Sequence, residues 1–200
     1  MQHPFPIFLD LTGRVCVVFG TGALADEKLR TLAAAGARVR HVESEPAPEH
    51  LEGAFLAISA LCDPPANQRL FEEAGRRGVL FNALDDPPRC GFYFPAVHRR
   101  GAMVVALSTS GQCPALAVRL KERLAEWIGP EYAAFLRLAA GVRGRIRQSG
   151  LDFADRRKLW YRLVDGPALE LLRAGRDQDA EQAFEEALNA EIPAVAEVHR

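Results

Sequence analysis

Two glycines lie where the backbone could hold a phosphate group. Residues 20–25 read Gly-Thr-Gly-Ala-Leu-Ala and directly follow an apolar run, Val15–Phe19. In a strand–turn–helix unit the first glycine permits the tight turn, and the second lets the backbone approach a pyrophosphate. A small third residue, here Ala25, lets the helix pack on the strand, and the open helix N-terminus attracts the anion. The segment predicts a dinucleotide-binding turn, with an ordinary strand-to-helix turn as the alternative.

Two carboxylates follow the next β-like run, residues 37–42, where a dinucleotide fold binds ribose hydroxyls. Glu43 and Glu45 are equal candidates, and either would repel the additional phosphate of NADP. NAD is therefore favoured, although Arg38 and Arg40 keep NADP open. The predicted cofactor-binding residues are Gly20, Gly22, Ala23, Leu24, Glu43, Ser44 and Glu45.

Two further segments carry groups that could act on a substrate. Asp85 ends a predicted strand and precedes Asp86 and two prolines, so it could exchange protons with a bound molecule. The residues by themselves favour a simpler interpretation, in which both aspartates cap the proline turn. The loop 108–114 contains hydroxyls, a glycine and a following helix start, and its backbone donors could hold a carboxylate. A plain loop with a helix cap is the alternative there.

The elements that would position these groups alternate between strand and helix. Apolar runs at 15–19, 37–42, 54–60 and 79–83 predict strands, with helices at 26–35 and 66–76 between them. Short strands that are apolar on both faces are typical of a parallel sheet covered by helices. The sequence thus predicts an α/β fold with a Rossmann-like parallel sheet, which the prolines at 87 and 88 bring to an end.

The second half predicts a strand pair and then helices. Residues 91–97 and 103–108 read as strands, with 98–101 as their connection, and they could extend the sheet or pair with another subunit. Helices are expected from Pro114 and at 131–148, 153–163, 168–173 and 177–190. One apolar stripe includes Leu116, Leu120 and Trp127, and such stripes could pack against one another within one chain. The apolar strand pair and the long helices instead favour a homodimer.

Composition excludes several classes of function. The 200 residues include 25 basic and 26 acidic side chains and are 48% hydrophobic, which favours a globular protein without a nucleic-acid or membrane partner. Neither a signal peptide nor an apolar run of about 20 residues is present in the sequence, so we expect a cytoplasmic protein. Scattered cysteines and histidines predict reduced thiols and no structural metal site; they are Cys16, Cys62, Cys90, Cys113, His3, His41, His50, His98 and His199.

Several motifs occur in a fixed order along residues 5–125. Residues 6–11 read Pro-Ile-Phe-Leu-Asp-Leu, and Lys28 takes the lysine position of the pattern G-G-G-x-V-A-x-R-K. Residues 56–60 and 67–69 resemble L-A-I-A-A-T-D-D-x-x-x-N-Q-R, 82–85 resemble N-V-V-D, Phe92 and Pro95 match F-x-x-P, and 108–117 resemble S-S-x-G-x-S-P-x-L-A. The chain therefore resembles the precorrin-2 dehydrogenase and sirohydrochlorin ferrochelatase family, the N-terminal module of siroheme synthases.

The resemblance implies oxidation of precorrin-2 to sirohydrochlorin with NAD, and in many members insertion of Fe²⁺, a substrate, to give siroheme. It implies that Asp85 handles protons in both reactions. Carboxylates of the tetrapyrrole would be held by polar groups of the matching segments, and Arg89, Arg99 and Arg100 are nearby candidates for pairing with them. The predicted substrate-binding residues are Asn82, Ser108, Thr109, Ser110, Gly111 and Arg119.

Departures from the pattern weaken the prediction of iron insertion more than that of oxidation. Leu61-Cys62-Asp63 stands where T-D-D is usual, and Cys113 replaces a serine. A non-catalytic sensor of NAD or a tetrapyrrole is the main alternative, and a small-substrate dehydrogenase is a weaker one because no catalytic motif supports it. We expect a separate methyltransferase to supply precorrin-2. The predicted segments are an NAD-binding domain (1–90), a dimerisation and substrate-loop region (91–148) and a helical C-terminal region (149–200).

Overall fold

The computed structural model describes residues 4–192, and the chain divides into two compact units, Met1–Phe94 and Pro95–Arg200. His3 and His199 lie outside the described residues. The first unit contains a four-stranded sheet in the order β2-β1-β3-β4, and every neighbouring pair is parallel. Its strands are β1 (Val15–Phe19), β2 (Arg38–Val42), β3 (Leu56–Ser59) and β4 (Leu80–Ala83). The predicted parallel α/β fold is confirmed.

Two helices, α1 (Ala23–Ala34) and α2 (Pro64–Arg77), and the short 3₁₀ turn Pro48–Leu51 connect these strands. A second 3₁₀ turn, Pro87–Arg89, follows β4. Helix α2 has clear end signals. The Asp63 side chain accepts a hydrogen bond from the Ala66 N–H, and Gly78 ends the helix with a left-handed φ of 67°.

The strand residues alternate between two apolar layers. Val17 and Phe19 of β1 pack with Leu51, Leu70 and other residues on one face, while Cys16 and Val18 pack on the opposite face. All four of these β1 side chains are fully buried. Both faces of β1 are therefore covered, as a parallel sheet requires.

The second unit begins with a hairpin that differs from the prediction. Strands β5 (Ala96–Arg100) and β6 (Met103–Leu107) are antiparallel and form a sheet separate from the parallel one. The predicted connection at 98–101 is wrong, because β5 continues to Arg100 and Gly101, with a φ of 55°, starts a two-residue turn. The predicted strand at 91–97 is also mostly wrong. Gly91 instead donates to the Phe81 carbonyl oxygen as the chain leaves β4.

Up to residue 192, five helices follow the hairpin in the second unit, close to the predicted bounds. They are α3 (Pro114–Trp127), α4 (Pro130–Gln148), α5 (Phe153–Asp165), α6 (Ala168–Arg173) and α7 (Asp177–Asn189). Phe135, Ile146, Leu163 and Phe184 belong to the apolar cluster that α4 to α7 share. The stripe on α3 is only partly covered within one chain, since Leu116, Leu120 and Trp127 are exposed.

Candidate cofactor and catalytic site

The glycine turn after β1 depends on a close approach of two backbones. Gly20 has a φ of 95°, and its N–H donates to the Val42 carbonyl oxygen at 3.0 Å. A Cβ atom at Gly20 would lie 2.9 Å from the carbonyl oxygen of Ala60, which follows β3. Only glycine fits this position without movement of the neighbouring chain. The turn therefore lies at the carboxyl ends of β1 and β3, where the chain connections diverge to opposite sides of the sheet and ligands bind in such folds.

The start of α1 leaves its first N–H groups without a side-chain cap. Gly22 is the N-cap residue, with φ 91° and ψ −177°, and a Cβ atom there would meet no atom within 4 Å. Ala23 and Leu24 are exposed, whereas Ala25 is fully buried against the sheet. The predicted cofactor residues of this turn thus lie together, and an anion could reach the open N–H groups.

The end of β2 brings a carboxylate towards the same turn. Glu43, Ser44 and Glu45 are all exposed just beyond Val42. The Oε1 atom of Glu43 lies 3.1 Å from Nδ1 of His41, and Nε2 of His41 lies 2.7 Å from the Gly20 carbonyl oxygen. Sequence analysis did not single out His41, because its role depends on the parallel register of β1 and β2. Glu43, rather than Glu45, is linked through His41 to the glycine turn.

Each arginine that could favour NADP makes a hydrogen bond to a backbone oxygen. The Nε atom of Arg38 donates to the Gly13 carbonyl oxygen at 3.0 Å, at the amino end of β2. The Nη2 atom of Arg40 donates to the Glu52 carbonyl oxygen at 2.5 Å. Both guanidinium groups are therefore engaged by backbone oxygens of loops.

Asp85 is exposed in the turn that follows β4 and has a left-handed φ of 59°. Within residues 4–192, the other non-glycine residues with a left-handed backbone are Cys62 and Ser110. All three lie in segments that sequence analysis linked to cofactor or substrate. Such conformations are uncommon for these residue types and occur often at functional sites.

The neighbouring Asp86 is held by a partly buried polar chain. The hydroxyl of Ser59 donates to Asn67 Oδ1 at 2.6 Å, and Asn67 Nδ2 donates to Asp86 Oδ2 at 3.3 Å. The Nη1 atom of Arg89 donates to Asp86 Oδ1 at 2.7 Å, and Nε of Arg89 donates to Gln68 Oε1 at 2.8 Å. The chain connects the end of β3, the start of α2 and the turn after β4. Asp86 thus fixes the turn, while Asp85 extends from it towards solvent.

Asn82 lies inside the protein, not on its surface. Its side chain is buried, and Nδ2 donates to the Phe92 carbonyl oxygen at 2.7 Å. Phe92 packs edge-on against Phe94, and the Nζ atom of Lys28 lies 4.4 Å from the centre of the Phe94 ring. Through these contacts, Asn82 and Lys28 hold the segment that follows β4. Substrate binding by Asn82 stays a prediction.

The predicted substrate loop lies in the second unit and is largely exposed. The oxygen of Ser108 accepts from the Ser110 N–H at 3.1 Å, and that of Thr109 accepts from the Cys113 N–H at 3.3 Å. Ser110 and Gly111 have φ values of 52° and 77°. The loop is thus a compact turn before α3. Arg119 is 79% exposed and pairs with Glu122 at 2.8 Å, so it is accessible to a carboxylate.

The thiols of Cys16, which is buried, and Cys90, which is partly buried, are poor nucleophiles. Burial raises the pKa of Cys16. Burial, against an opposing hydrogen bond to the Ala83 carbonyl oxygen and with the charge of Asp86, raises the pKa of Cys90, so both thiols stay protonated at neutral pH. No group of three or more His, Cys, Asp or Glu side chains within residues 4–192 is arranged to hold a metal ion. The prediction that the protein has no structural metal stays a prediction. None of the helices in this described part is long and apolar enough to span a membrane.

The parallel sheet, the glycine turn at its switch point and the carboxylate beyond β2 define a dinucleotide-binding α/β protein. The chain matches the family "Putative NAD(P)-binding" over residues 7–96 and the family "Sirohaem synthase dimerisation region" over residues 131–188. The resemblance of the chain to the precorrin-2 dehydrogenase and sirohydrochlorin ferrochelatase family, found as the N-terminal module of siroheme synthases, is thereby confirmed.

Curated relatives and a solved structure agree with this placement. The siroheme synthase of Photobacterium profundum is 34% identical, over 88% of this chain and 42% of its own length. That of Nitrosomonas eutropha is 32% identical, over 98% of this chain and 46% of its own. The chain thus spans less than half the length of these relatives. The structure named "SirC, precorrin-2 dehydrogenase" superposes with a TM-score of 0.71 over 92% of this chain and all of its own, at 20% identity, which shows a shared fold.

The two family matches bear differently on the predicted segments. The dimerisation region begins within the predicted segment 91–148 and extends through most of 149–200. The compact units instead divide the chain between Phe94 and Pro95. The two predicted boundaries, after residues 90 and 148, stay predictions.

Proposed function

We propose that the protein oxidises precorrin-2 to sirohydrochlorin with NAD⁺. The reaction removes two electrons and two protons from the macrocycle, yielding NADH and one free proton. The observation that carries the proposal is the pair of adjacent aspartates, of which Asp86 is held by Asn67 and Arg89 while Asp85 stays exposed at the carboxyl end of β4. A base for a large substrate needs this combination of fixed backbone and open side chain.

The cofactor would be held by the turn after β1 and by the edge of β2. The absence of a Cβ atom at Gly20 and Gly22 and the uncapped start of α1 fit a pyrophosphate, and Glu43 fits a ribose diol. When bound, the nicotinamide supplies the hydride acceptor. The Glu43 carboxylate just beyond β2, which would repel a 2′-phosphate, supports NAD⁺ over NADP⁺, and Arg38 lies at the opposite end of that strand.

Asp85 would take the proton that the macrocycle loses as its hydride departs. The ion pair between Asp86 and Arg89, at 2.7 Å, neutralises the adjacent carboxylate, so Asp85 does not work beside a bare like charge. The turn itself is anchored by the Asp86 N–H, which donates to the Ala83 carbonyl oxygen at 3.2 Å. The position of Asp85 is thus set by β4 and by its neighbour.

Carboxylates of the macrocycle would be bound by the substrate loop. In this proposal Ser108, Thr109, Ser110 and Gly111 donate hydrogen bonds, and Arg119 exchanges its exposed partner Glu122 for a carboxylate. Asn82 would support the adjacent turn. The active form would be a homodimer, which the dimerisation-region match and the exposed apolar side of α3 support.

Insertion of Fe²⁺ into sirohydrochlorin is a further proposed step. It releases two protons from the pyrrole nitrogens, and Asp85 is an exposed carboxylate that could receive them. Fe²⁺ is here a substrate, and the site need not keep it after release. The family includes this activity, and the substitution of Cys113 in the loop is the feature of this chain most at odds with it.

The test is an anaerobic absorbance assay with enzymatically made precorrin-2 and NAD⁺, followed by Fe²⁺ against a control without protein. We expect NADH and sirohydrochlorin to appear together. Asp85→Asn should reduce turnover by about 10²- to 10⁴-fold, the usual contribution of a general base, without changing NAD⁺ affinity or stability.

Asp86→Asn is the matched variant at the adjacent position. It weakens the pairing with Arg89 and should cost about 1–3 kcal/mol of stability, measured by denaturant unfolding. A folded wild-type protein that binds NAD⁺ but does not oxidise precorrin-2 would refute the proposal and favour the sensor. Equal turnover of Asp85→Asn and wild type would remove Asp85 from the mechanism.

A further inference from the structure

His41 connects the two parts of the proposed cofactor site. It is the penultimate residue of β2, and its side chain is 26% exposed. Nε2 lies 2.7 Å from the Gly20 carbonyl oxygen, and Nδ1 lies 3.1 Å from Glu43 Oε1. One ring therefore contacts both the turn expected at the pyrophosphate and the carboxylate expected at the ribose.

Both partners of the ring are acceptors. A carbonyl oxygen only accepts, so the short contact to Gly20 requires a proton on Nε2. The carboxylate of Glu43 also accepts, so a second hydrogen bond forms when Nδ1 carries a proton as well. The doubly protonated ring satisfies both contacts, whereas the neutral ring satisfies one.

The other charged groups nearby are directed elsewhere. Arg40, two positions away along β2, donates to the Glu52 carbonyl oxygen. His50 packs its ring against Phe19, and its Nδ1 accepts from the Ala47 N–H at 3.0 Å. The charged side chain that contacts the His41 ring is Glu43.

The contact with Gly20 also orients the next peptide N–H. The carbonyl of Gly20 and the N–H of Thr21 belong to one planar trans peptide and point in opposite directions. Because His41 holds the carbonyl towards β2, the Thr21 N–H points away from β2. Since β1 lies between β2 and β3, that direction is the side of the sheet's switch point.

We propose that His41 is a positioning residue for the dinucleotide. Its ring fixes the Gly20–Thr21 peptide and the Glu43 carboxylate in place together. The proposal rests on NAD⁺ binding at this turn. Loss of the ring should release both groups. Affinity for NAD⁺ should then fall about tenfold, the scale of one charge-assisted hydrogen bond, and preference over NADP⁺ should shrink because Glu43 is no longer held.

The experiment measures the dissociation constants of NAD⁺ and NADP⁺ by calorimetry for the wild type, His41→Gln and His41→Ala. The amide of His41→Gln can still donate to the Gly20 carbonyl oxygen, so this variant should recover part of the affinity for NAD⁺ and part of the preference over NADP⁺. His41→Ala has no donor and should show the full loss of both.

Arg38→Gln is the matched control. Arg38 also joins a β2 side chain to a loop carbonyl oxygen, but at the opposite end of the strand, so its substitution should leave both affinities unchanged. Wild-type affinity and an unchanged preference for NAD⁺ over NADP⁺ in both His41→Gln and His41→Ala would overturn the inference alone. Failure of the wild-type protein to bind either dinucleotide would instead refute the proposed function.

Discussion

Gly20 and Gly22 allow the steric and conformational requirements of the cofactor turn to be measured separately. Their φ values, 95° and 91°, are almost the same, so alanine is strained at either position. They differ in their surroundings. A Cβ atom at Gly20 would lie 2.9 Å from the Ala60 carbonyl oxygen, whereas one at Gly22 would meet nothing within 4 Å.

The two substitutions should therefore destabilise the protein by different amounts. Placing alanine in this backbone region costs about 1–3 kcal/mol, and that cost applies to both. Gly20→Ala must also displace either β1 or the chain after β3, which costs about 1–3 kcal/mol more. Its total of about 2–6 kcal/mol is a large part of the roughly 5–15 kcal/mol that stabilises a typical domain.

Gly22→Ala should affect the binding of NAD⁺ more than it affects the stability of the fold. Gly22→Ala leaves the fold mostly intact but places a methyl group where the backbone is expected to approach the pyrophosphate. We expect its affinity for NAD⁺ to fall at least about tenfold, a change of 1.4 kcal/mol, in a protein that still folds.

The assay combines urea unfolding with hydrogen exchange of peptides from β1, because two compact units need not unfold in one step. Exchange should accelerate in β1 for Gly20→Ala more than for Gly22→Ala. Calorimetric titration with NAD⁺ then completes the comparison. Equal unfolding free energies for the two variants would refute the close approach between the turns after β1 and β3.

Two further predictions concern the second unit. Burial raises the pKa of Glu131, but backbone hydrogen bonds and the pairing with Arg173 outweigh burial, so the net pKa is lowered. The stability that the ionised Glu131 contributes is therefore complete above about pH 4.3 and is lost as the pH falls through the lowered pKa. Glu131→Gln should flatten this acid limb of an unfolding profile, and an unchanged slope would contradict the assignment. Trp127, 65% exposed on α3, is expected at the dimer interface, so Trp127→Ser should shift sedimentation towards the monomer, and an undisturbed dimer would exclude that face.

The sheet and its cofactor turn could be predicted because local signals agreed with the global fold. The apolar runs at β1, β3 and β4 have the length of buried parallel strands, and the glycines fall directly after the first of them. The hairpin was harder to predict. Residues 91–97 are rich in aromatic side chains, which suggested a strand, but Gly91 is bonded to Phe81 and only Ala96 and Val97 enter β5. A tertiary contact thus overrode local propensity.

The different contacts of Asp85 and Asp86 could not be predicted from residue type and spacing, although the family resemblance pointed to Asp85 for the proposed proton transfer. The two residues are chemically identical, and both precede the same prolines, so a capping role suited either one. Asn67 and Arg89 distinguish them by pairing with Asp86, and Asn67 reaches it across 19 positions of chain. The same is true of His41, which contacts Gly20 only because β1 and β2 pair in parallel register.

The backbone conformation of Asp85 bears on the proposed mechanism. A left-handed backbone at Asp85 costs free energy and persists only if the surrounding contacts fix it. The polar chain from Ser59 to Arg89 supplies that constraint from a well-buried origin, since Ser59 and Asn67 are both excluded from solvent. If the chain existed only to stabilise the turn, a glycine at position 85 would serve better, because it adopts this conformation without strain. An aspartate with an exposed carboxylate is less stable than glycine in this backbone conformation. The proposed dehydrogenation would explain its presence, because that reaction uses the carboxylate.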